Sequence, residues 1–259
     1  MGEIFAHGLM RAGWESSDLH LAVRRSERAR DLEFATGSEV TLSAAEAASG
    51  RDVLIIAVKP KDVPAVLGEI EGIVTLDQVV VSIAAGVPVS VFEAALEGVP
   101  VVRAMPNTPA AVDLGMTAYT LGSNANDEHS ARAREVLAAV GETIEVPEDL
   151  LDAVTAVSGT GPAYIFLMAE ALIEAAIREG LPHHAAEKLV HQTVRGAGEL
   201  LCTSDKSAFR LRGEVTSPGG TTAAAMHVLE DGGFRALLEN AVRSAADRSR
   251  ELGRKVSDR

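Results

Sequence analysis

Only one cysteine, Cys202, occurs in 259 residues, so no internal disulfide can form and the expected setting is a reducing cytoplasm. Basic residues are also in deficit: 24 lysines and arginines face 37 aspartates and glutamates, for a net charge of -13. That sign argues against binding nucleic acid or an anionic membrane by bulk electrostatics and leaves solubility as the reading of the charge. Long apolar runs are missing. The longest, Ala163 to Ile177, is broken by Glu170 and Glu174 and falls short of the roughly 20 apolar residues that a bilayer demands. The start carries no basic-then-apolar signal pattern. His183, His184 and His191 share one helical segment, but without cysteine or clustered carboxylates at ligand spacing no metal site is expected. Internal repeats, low-complexity segments and flexible linkers are absent too.

What is present is ordinary globular composition, 47% hydrophobic and 24% charged, in two halves of different period. From the start to about Val146, short β-branched runs alternate with helical stretches, the rhythm of a parallel α/β sheet. The runs are Leu19 to Arg24, Val53 to Lys59, Val79 to Ala85, Val99 to Ala104, Met116 to Leu121 and Thr143 to Val146. Val53 to Val58 is apolar throughout, as a strand covered on both faces must be. After Pro147 the strand signal gives way to 3.6-residue spacing. Ala186, Leu189, Val190, Val194, Ala197 and Leu201 make one stripe, and Phe234, Leu237, Leu238, Ala241, Val242 and Ala245 make another after the Asp231-Gly232-Gly233 break. The expectation is a Rossmann-type α/β domain over residues 1–147 and an all-α domain over 148–259. A core this thin favours pairing of subunits through the helices; the alternative is a self-contained bundle.

Ligands of open parallel sheets sit beyond the carboxyl ends of the strands. After the first run come Arg24, Arg25 and Ser26, where an NAD-binding sheet would usually place a carboxylate for the ribose hydroxyls. Two arginines and a serine suit a 2'-phosphate and favour NADPH over NADH; a solvated basic helix start is the alternative. Ala57-Val58-Lys59-Pro60 ends the next run, its proline turning the backbone outward. Ile83-Ala84-Ala85-Gly86 ends another with small residues that admit close approach, and Met105-Pro106-Asn107-Thr108-Pro109 follows the fourth, with Asn107 offering both a donor and an acceptor.

In the helical half, Ser217-Pro218-Gly219-Gly220-Thr221-Thr222 runs straight into Ala223-Ala224-Ala225-Met226. Free amides and the helix dipole favour an anion at such a start, the glycines let it approach, and Ser217 and Thr222 add hydroxyl donors. A carboxylate fits; plain capping by Ser217 or Thr221 is the alternative. Ser158-Gly159-Thr160-Gly161-Pro162-Ala163-Tyr164 is a second Gly-punctuated helix start, or a structural kink.

Taken together, Ala57 to Pro60, Met105 to Pro109, Ser158 to Tyr164, Gly180-Leu181-Pro182, Val215 to Thr222 and Gly232 to Arg235 make the chain resemble pyrroline-5-carboxylate reductase over nearly its whole length. The resemblance implies an N-terminal Rossmann domain, a C-terminal helical domain interlocked with a second subunit in a homodimer or larger homo-oligomer, and NAD(P)H-dependent reduction of 1-pyrroline-5-carboxylate to L-proline. It places the substrate carboxylate on Ser217 and the amides of Gly220 and Thr221, the Thr222 hydroxyl on the ring nitrogen as the catalytic contact, and Glu148 near the substrate. Gly2, Ala57 to Pro60, Ile83 to Ala85 and Asn107 would line the cofactor beside Arg24, Arg25 and Ser26.

One departure stands out. The family opens with a β-strand and a glycine-rich turn ending in a Met-Gly-Glu step, and this sequence begins at Met1-Gly2-Glu3, so the first strand and the first two fingerprint glycines are missing. Either the start is assigned too late or the chain is shortened. The first is favoured, because a sheet without that strand would leave backbone unpaired along Leu19 to Arg24 and along the Val53 run. Lesser departures are Ala44, where the family often has asparagine, and Glu214, where some members carry an amide. The competing functions are a catalytically inactive homologue acting as a dimeric binding protein, and a different two-domain dehydrogenase. The latter should present a lysine proton donor, and Lys188 and Lys206 sit in no such motif.

Overall fold

The computed structural model describes residues 1–257, with side chains as far as Arg254. It forms two compact units, Met1–Thr160 together with the chain from Ser244 onward, and Gly161–Arg243. In the first unit, helix α1 (Gly2–Arg11) buries Phe5, Ala6, Gly8 and Leu9, a stripe at helical spacing. There follow β1 (His20–Ala22), α2 (Ser26–Thr36), β2 (Glu39–Thr41), α3 (Ala44–Ala48), β3 (Val53–Ile56), α4 (Val63–Ile70), β4 (Val79–Ser82), α5 (Val89–Ala95), β5 (Val101–Met105), β6 (Gly115–Leu121), α6 (Asp127–Ala138), β7 (Gly141–Glu145) and the short α7 (Leu151–Val154). A π-turn over Thr155–Gly159 then leads to Gly161, where the second unit begins. The change from strand to helix pattern at Pro147 thus precedes the crossing between units.

Strands β3-β4-β5-β6-β7 form one sheet in sequence order. The sheet is not parallel throughout, contrary to the rhythm of the sequence: β6 runs antiparallel to β5, and the other neighbours are parallel. The reason lies in the connection. Only residues 106–114 join β5 to β6, fewer than the dozen or so that a parallel crossover requires. The two faces of β4 show why valine occupies three successive positions, Val79 to Val81. Val79 and Val81 join the core with Phe5, Val102, Tyr119 and Leu137, while Val80 joins the opposite core with Leu67, Phe92 and Val101.

Strand β2, which has a single apolar residue, Val40, pairs in parallel with β1 as a separate two-stranded sheet. Among the described residues no strand lies between β1 and β3, so each presents an open edge. Val53 and Ile55 of β3 are accordingly only half-buried, whereas Val79, Val80 and Val81 are fully buried. Leu19, just before β1, shares a small apolar cluster with Val53 and Ile55 beneath Leu9, Met10 and Trp14. Arg51 reaches across to His20, Nη2 to Nδ1 at 3.3 Å. A cavity of about 280 Å³ lined by Ser16, Leu19, His20, Gly37, Glu39 and Arg51 lies in the same place. The Nε of Arg51 is buried there without a hydrogen-bond partner. Helix α1 starts at the carboxyl end of β3, where a Cβ on Gly2 would lie 3.1 Å from that of Ala57. Its other end is fixed by Arg11, whose Nε and Nη2 donate to the two carboxylate oxygens of Asp113 at 2.8 and 2.7 Å and hold that carboxyl below its usual pKa range.

The second unit is helical: α8 (Gly161–Arg178), α9 (His183–Thr203), α10 (Ala208–Glu214), α11 (Thr221–Asp231) and the start of α12 (Phe234–Ser257). Here Ile165, Phe166, Leu167, Leu172, Leu200 and Leu201 stand exposed on the single chain. The helical run Glu148–Arg178 is long and apolar enough by length and composition to cross a bilayer, because it begins well before the Ala163 to Ile177 stretch that looked too short. The end of α12 belongs to the first unit. Ser249 donates to Asp152, Ala246 is buried, and Gly253 packs on Gly86 so closely that a Cβ on Gly253 would meet the Gly86 carbonyl at 2.9 Å.

An extended apolar segment of about five residues fused ahead of Met1 should pair with both open edges. The expected outcome is a higher melting temperature and slower amide exchange in β1 and β3. A fusion that leaves both unchanged would show that the edges do not accept a strand.

Candidate active site

The first-unit residues marked in the sequence all follow carboxyl ends of strands or begin helices there. Gly2 opens α1, whose N-cap Met1 makes no side-chain capping bond. Glu3 in that first turn is drawn aside by Arg28 and lies within 3.9 Å of His7. The amides at the head of α1 therefore remain available to an anion such as a dinucleotide diphosphate. Beyond β1, Arg25 caps the backbone of α2 and Ser26 is its first residue, both exposed. Arg24 is exposed too, and its Nη1 pairs with Asp62 Oδ1 at 2.9 Å. Two guanidinium groups and a hydroxyl at a helix start fit a phosphate by charge and by hydrogen bonding.

Beyond β3, Ala57 and Lys59 are exposed, Val58 is half-buried, and Pro60 starts the single turn Pro60–Asp62 that leads into α4. Beyond β4, Ile83 and Ala84 are buried and Ala85 is exposed. Asn107 follows β5, but its side chain is already engaged. Its Nδ2 donates to the Ser158 carbonyl at 3.1 Å, and its Oδ1 accepts from the Met116 amide at 2.9 Å.

Glu148 is engaged as well. Its Oε1 accepts from Arg103 Nη1 at 2.8 Å and from the Val89 amide at 2.8 Å. Arg103 was missed in the sequence. Its signal was a lone cation inside the apolar strand Val101-Val102-Arg103-Ala104-Met105, where only a paired charge is tolerable. In the structure it is 9% exposed.

In the second unit, the glycine-rich loop behaves as a built helix start. Gly219 adopts a left-handed φ of 73°, the Gly220 amide donates to the Ser217 carbonyl at 3.0 Å, and α11 begins at Thr221. Gly220 is the N-cap, and no side chain caps the helix, so the capping alternative for Ser217 and Thr221 is not realised. The leading amides of an eleven-residue helix are left open beside the Ser217 and Thr222 hydroxyls. The far end of α11 is clamped. Arg235 donates from Nε and Nη2 to Glu230 at 2.9 and 2.7 Å, Arg212 adds a bond at 3.1 Å, and the Glu230 carboxyl is held below its usual pKa range, by Arg235 first and Arg212 second. This clamp accounts for Arg235 of the Gly232-Gly233-Phe234-Arg235 motif. No group of three or more metal-binding side chains occurs among the described residues.

The family model for pyrroline-5-carboxylate reductase dimerisation matches residues 148–252, and a model described as NADP oxidoreductase, coenzyme F420-dependent, matches residues 1–86. A pyrroline-5-carboxylate reductase of Corynebacterium melassecola is 41% identical over 98% of this chain and 96% of its own length. Among solved structures, a pyrroline-5-carboxylate reductase from Coxiella burnetii superposes with a TM-score of 0.91 at 36% identity, covering 97% of this chain and 94% of its own. A Plasmodium falciparum pyrroline carboxylate reductase with NADP bound gives 0.86 at 30% identity, covering 98% and 94%.

The Arg103–Glu148 pair yields an asymmetric prediction. Removing Glu148 strands a buried guanidinium, whereas removing Arg103 leaves a carboxylate that is 39% exposed and can turn to water. Glu148→Ala should therefore destabilise by about 2–4 kcal/mol and Arg103→Met by less, on the order of 1–2 kcal/mol. Urea unfolding of the two variants checks the order.

Proposed function

The chain belongs to the pyrroline-5-carboxylate reductase family, and we propose from that premise that it reduces the C=N bond of 1-pyrroline-5-carboxylate to give L-proline, with NADPH preferred and NADH possible. The observation that carries the reading is identity above 40% to a reductase of that name along almost the entire chain. We assign the diphosphate to the head of α1 at Gly2, the 2'-phosphate to Arg24, Arg25 and Ser26, and the remainder of the cofactor to the backbone of Ala57 to Pro60, Ile83 to Ala85 and the loop that holds Asn107. The substrate carboxylate is assigned to Ser217 and the Gly220 and Thr221 amides. Bound reduced nicotinamide supplies the hydride.

The residues then have a limited task. The imine carbon gains the hydride and the ring nitrogen gains, or already carries, a proton, so orientation and charge compensation matter more than a strong base. The uncapped start of α11 fixes the carboxylate, and the first turn of the helix places Thr222 to hold or pass a proton at the nitrogen. The Glu148 carboxylate, committed to Arg103 and Val89, serves the substrate by fixing the segment it opens rather than by accepting a proton.

The exposed apolar side chains of α8 and α9 lie within the segment matched by the dimerisation model. They support a homodimer or larger homo-oligomer built through these helices, with that surface covered by a second copy rather than by lipid. The free thiol of Cys202, exposed on α9, is at home in a reducing cytoplasm.

The test is oxidation of NADPH by the pure chain in the presence of 1-pyrroline-5-carboxylate. Silence there would move the reading to a dimeric binding protein. Thr222→Ala should lower kcat by at least tenfold, on the order of 10²-fold, while NADPH binding changes little. Arg24→Glu combined with Arg25→Glu should reduce the NADPH-to-NADH preference by about tenfold or more, the loss of one or more charged hydrogen bonds. An unchanged ratio of the two kcat/KM values would remove the arginine pair from the cofactor site.

A further inference from the structure

The last residue of β5 and the loop after it grip consecutive residues of the π-turn. Asn107 binds the Ser158 carbonyl, and Met105 packs against Gly159, where a Cβ would lie 2.8 Å from Met105 Cε. The turn is otherwise held from within. Thr155 O accepts from the Thr160 amide at 2.8 Å and the Thr160 hydroxyl at 2.9 Å, and the Thr155 hydroxyl donates to Leu151 O at 2.8 Å. The Ser158 hydroxyl adds nothing, since its Oγ is buried and has no partner. Asn107 is thus the side-chain tie between the Ser158 peptide and the sheet, and the same amide group is anchored at its other end on the first residues of β6 through Met116.

The location gives the tie a purpose. A single π-turn within a helical stretch is often found at functional sites, and this one lies against the carboxyl end of β5, the side on which an open α/β sheet binds its ligand. Directly after it, at Thr160–Gly161, the chain passes into the second unit, which carries the Ser217 to Thr222 loop. We propose that Asn107 is a positioning residue for hydride transfer. Its carboxamide holds the π-turn in register with the loop after β5, and that side chain is not a ligand of the cofactor. The inference rests on the reductase reading for the reaction, but the tie itself is independent of it.

The experiment compares the parent chain with Asn107→Asp and Asn107→Ala. The aspartate keeps an acceptor for the Met116 amide and turns a carboxylate oxygen against the Ser158 carbonyl; the alanine loses both bonds. Three quantities are read: kcat for 1-pyrroline-5-carboxylate, the NADPH dissociation constant without substrate, and amide exchange over residues 155–161. Both variants should lose roughly 10- to 100-fold in kcat, the scale of a misplacement of about 1 Å, with NADPH affinity within about twofold of the parent and faster exchange in the turn. Ser158→Ala should match the parent in all three. NADPH binding that weakens in step with kcat would overturn the proposal and make Asn107 a cofactor ligand. Unchanged kcat with faster exchange would reduce the tie to a structural one, and unchanged exchange would remove the tie altogether. A parent chain that binds NADPH and reduces no 1-pyrroline-5-carboxylate would sink the reductase reading and the hydride-transfer role with it, while the exchange result still decides the tie.

Discussion

One carboxylate oxygen, Oε1 of Glu148, secures the arrangement on which the first unit depends. It accepts from Arg103 in the middle of the sheet and from Val89 at the head of α5, and it belongs to the segment that leaves the last strand. A guanidinium buried among valines is tolerable only because that carboxylate meets it. The consequence runs along the segment. Glu148 is tied to β5 and α5, Asp152 receives Ser249 from α12, and Ser158 receives Asn107 from the loop after β5. The chain from 148 to 160 is therefore a braced strut, and every brace is a polar bond from a different element.

The sequence carried much of this plan in its periods. Short β-branched runs located six of the seven strands, and helical spacing after Pro147 marked the helical part, although the compact units divide only after Thr160. What periodicity did not carry has physical causes. Glu39-Val40-Thr41 is too short and too polar to announce itself, and it is a strand only because β1 offers a parallel edge. The reversal of β6 follows from the length of one connection, a property of the loop that the apolar pattern of the strands does not express. Motifs marked the Asn107 and Glu148 regions, yet residue type alone could not say whether an amide or a carboxylate faces a ligand or another part of the chain. Asn107 has both atoms of its amide bonded within the fold, and Glu148 has one oxygen, Oε1, bonded to Arg103 and Val89.

The gap between β1 and β3 bears most directly on the cofactor site proposed above. Parallel strands gain from neighbours on both sides, and among the described residues the two strands that face one another across Arg51 and His20 have one neighbour each. The half-burial of Val53 and Ile55 shows the loss in apolar packing, and the unpartnered Nε of Arg51 shows it in hydrogen bonding. The head of α1 lies at the other end of the gap, beside Ala57 at the carboxyl end of β3. The amides there are positioned by α1, through its packing by Phe5 and Leu9 and its anchor from Arg11 to Asp113.

That distribution of order suits the chemistry. An iminium carbon is already electrophilic, so the protein need not generate a strong base or nucleophile, and its contribution is to fix distances. The parts that would set those distances are the rigid ones. The start of α11 is held open by Gly219 and Gly220 and its far end is clamped by Arg235 and Arg212 on Glu230. The strut from 148 to 160 is braced at three points. A reaction governed by placement needs helices and turns that do not drift, and in this chain the arginines and amides are spent on holding them still.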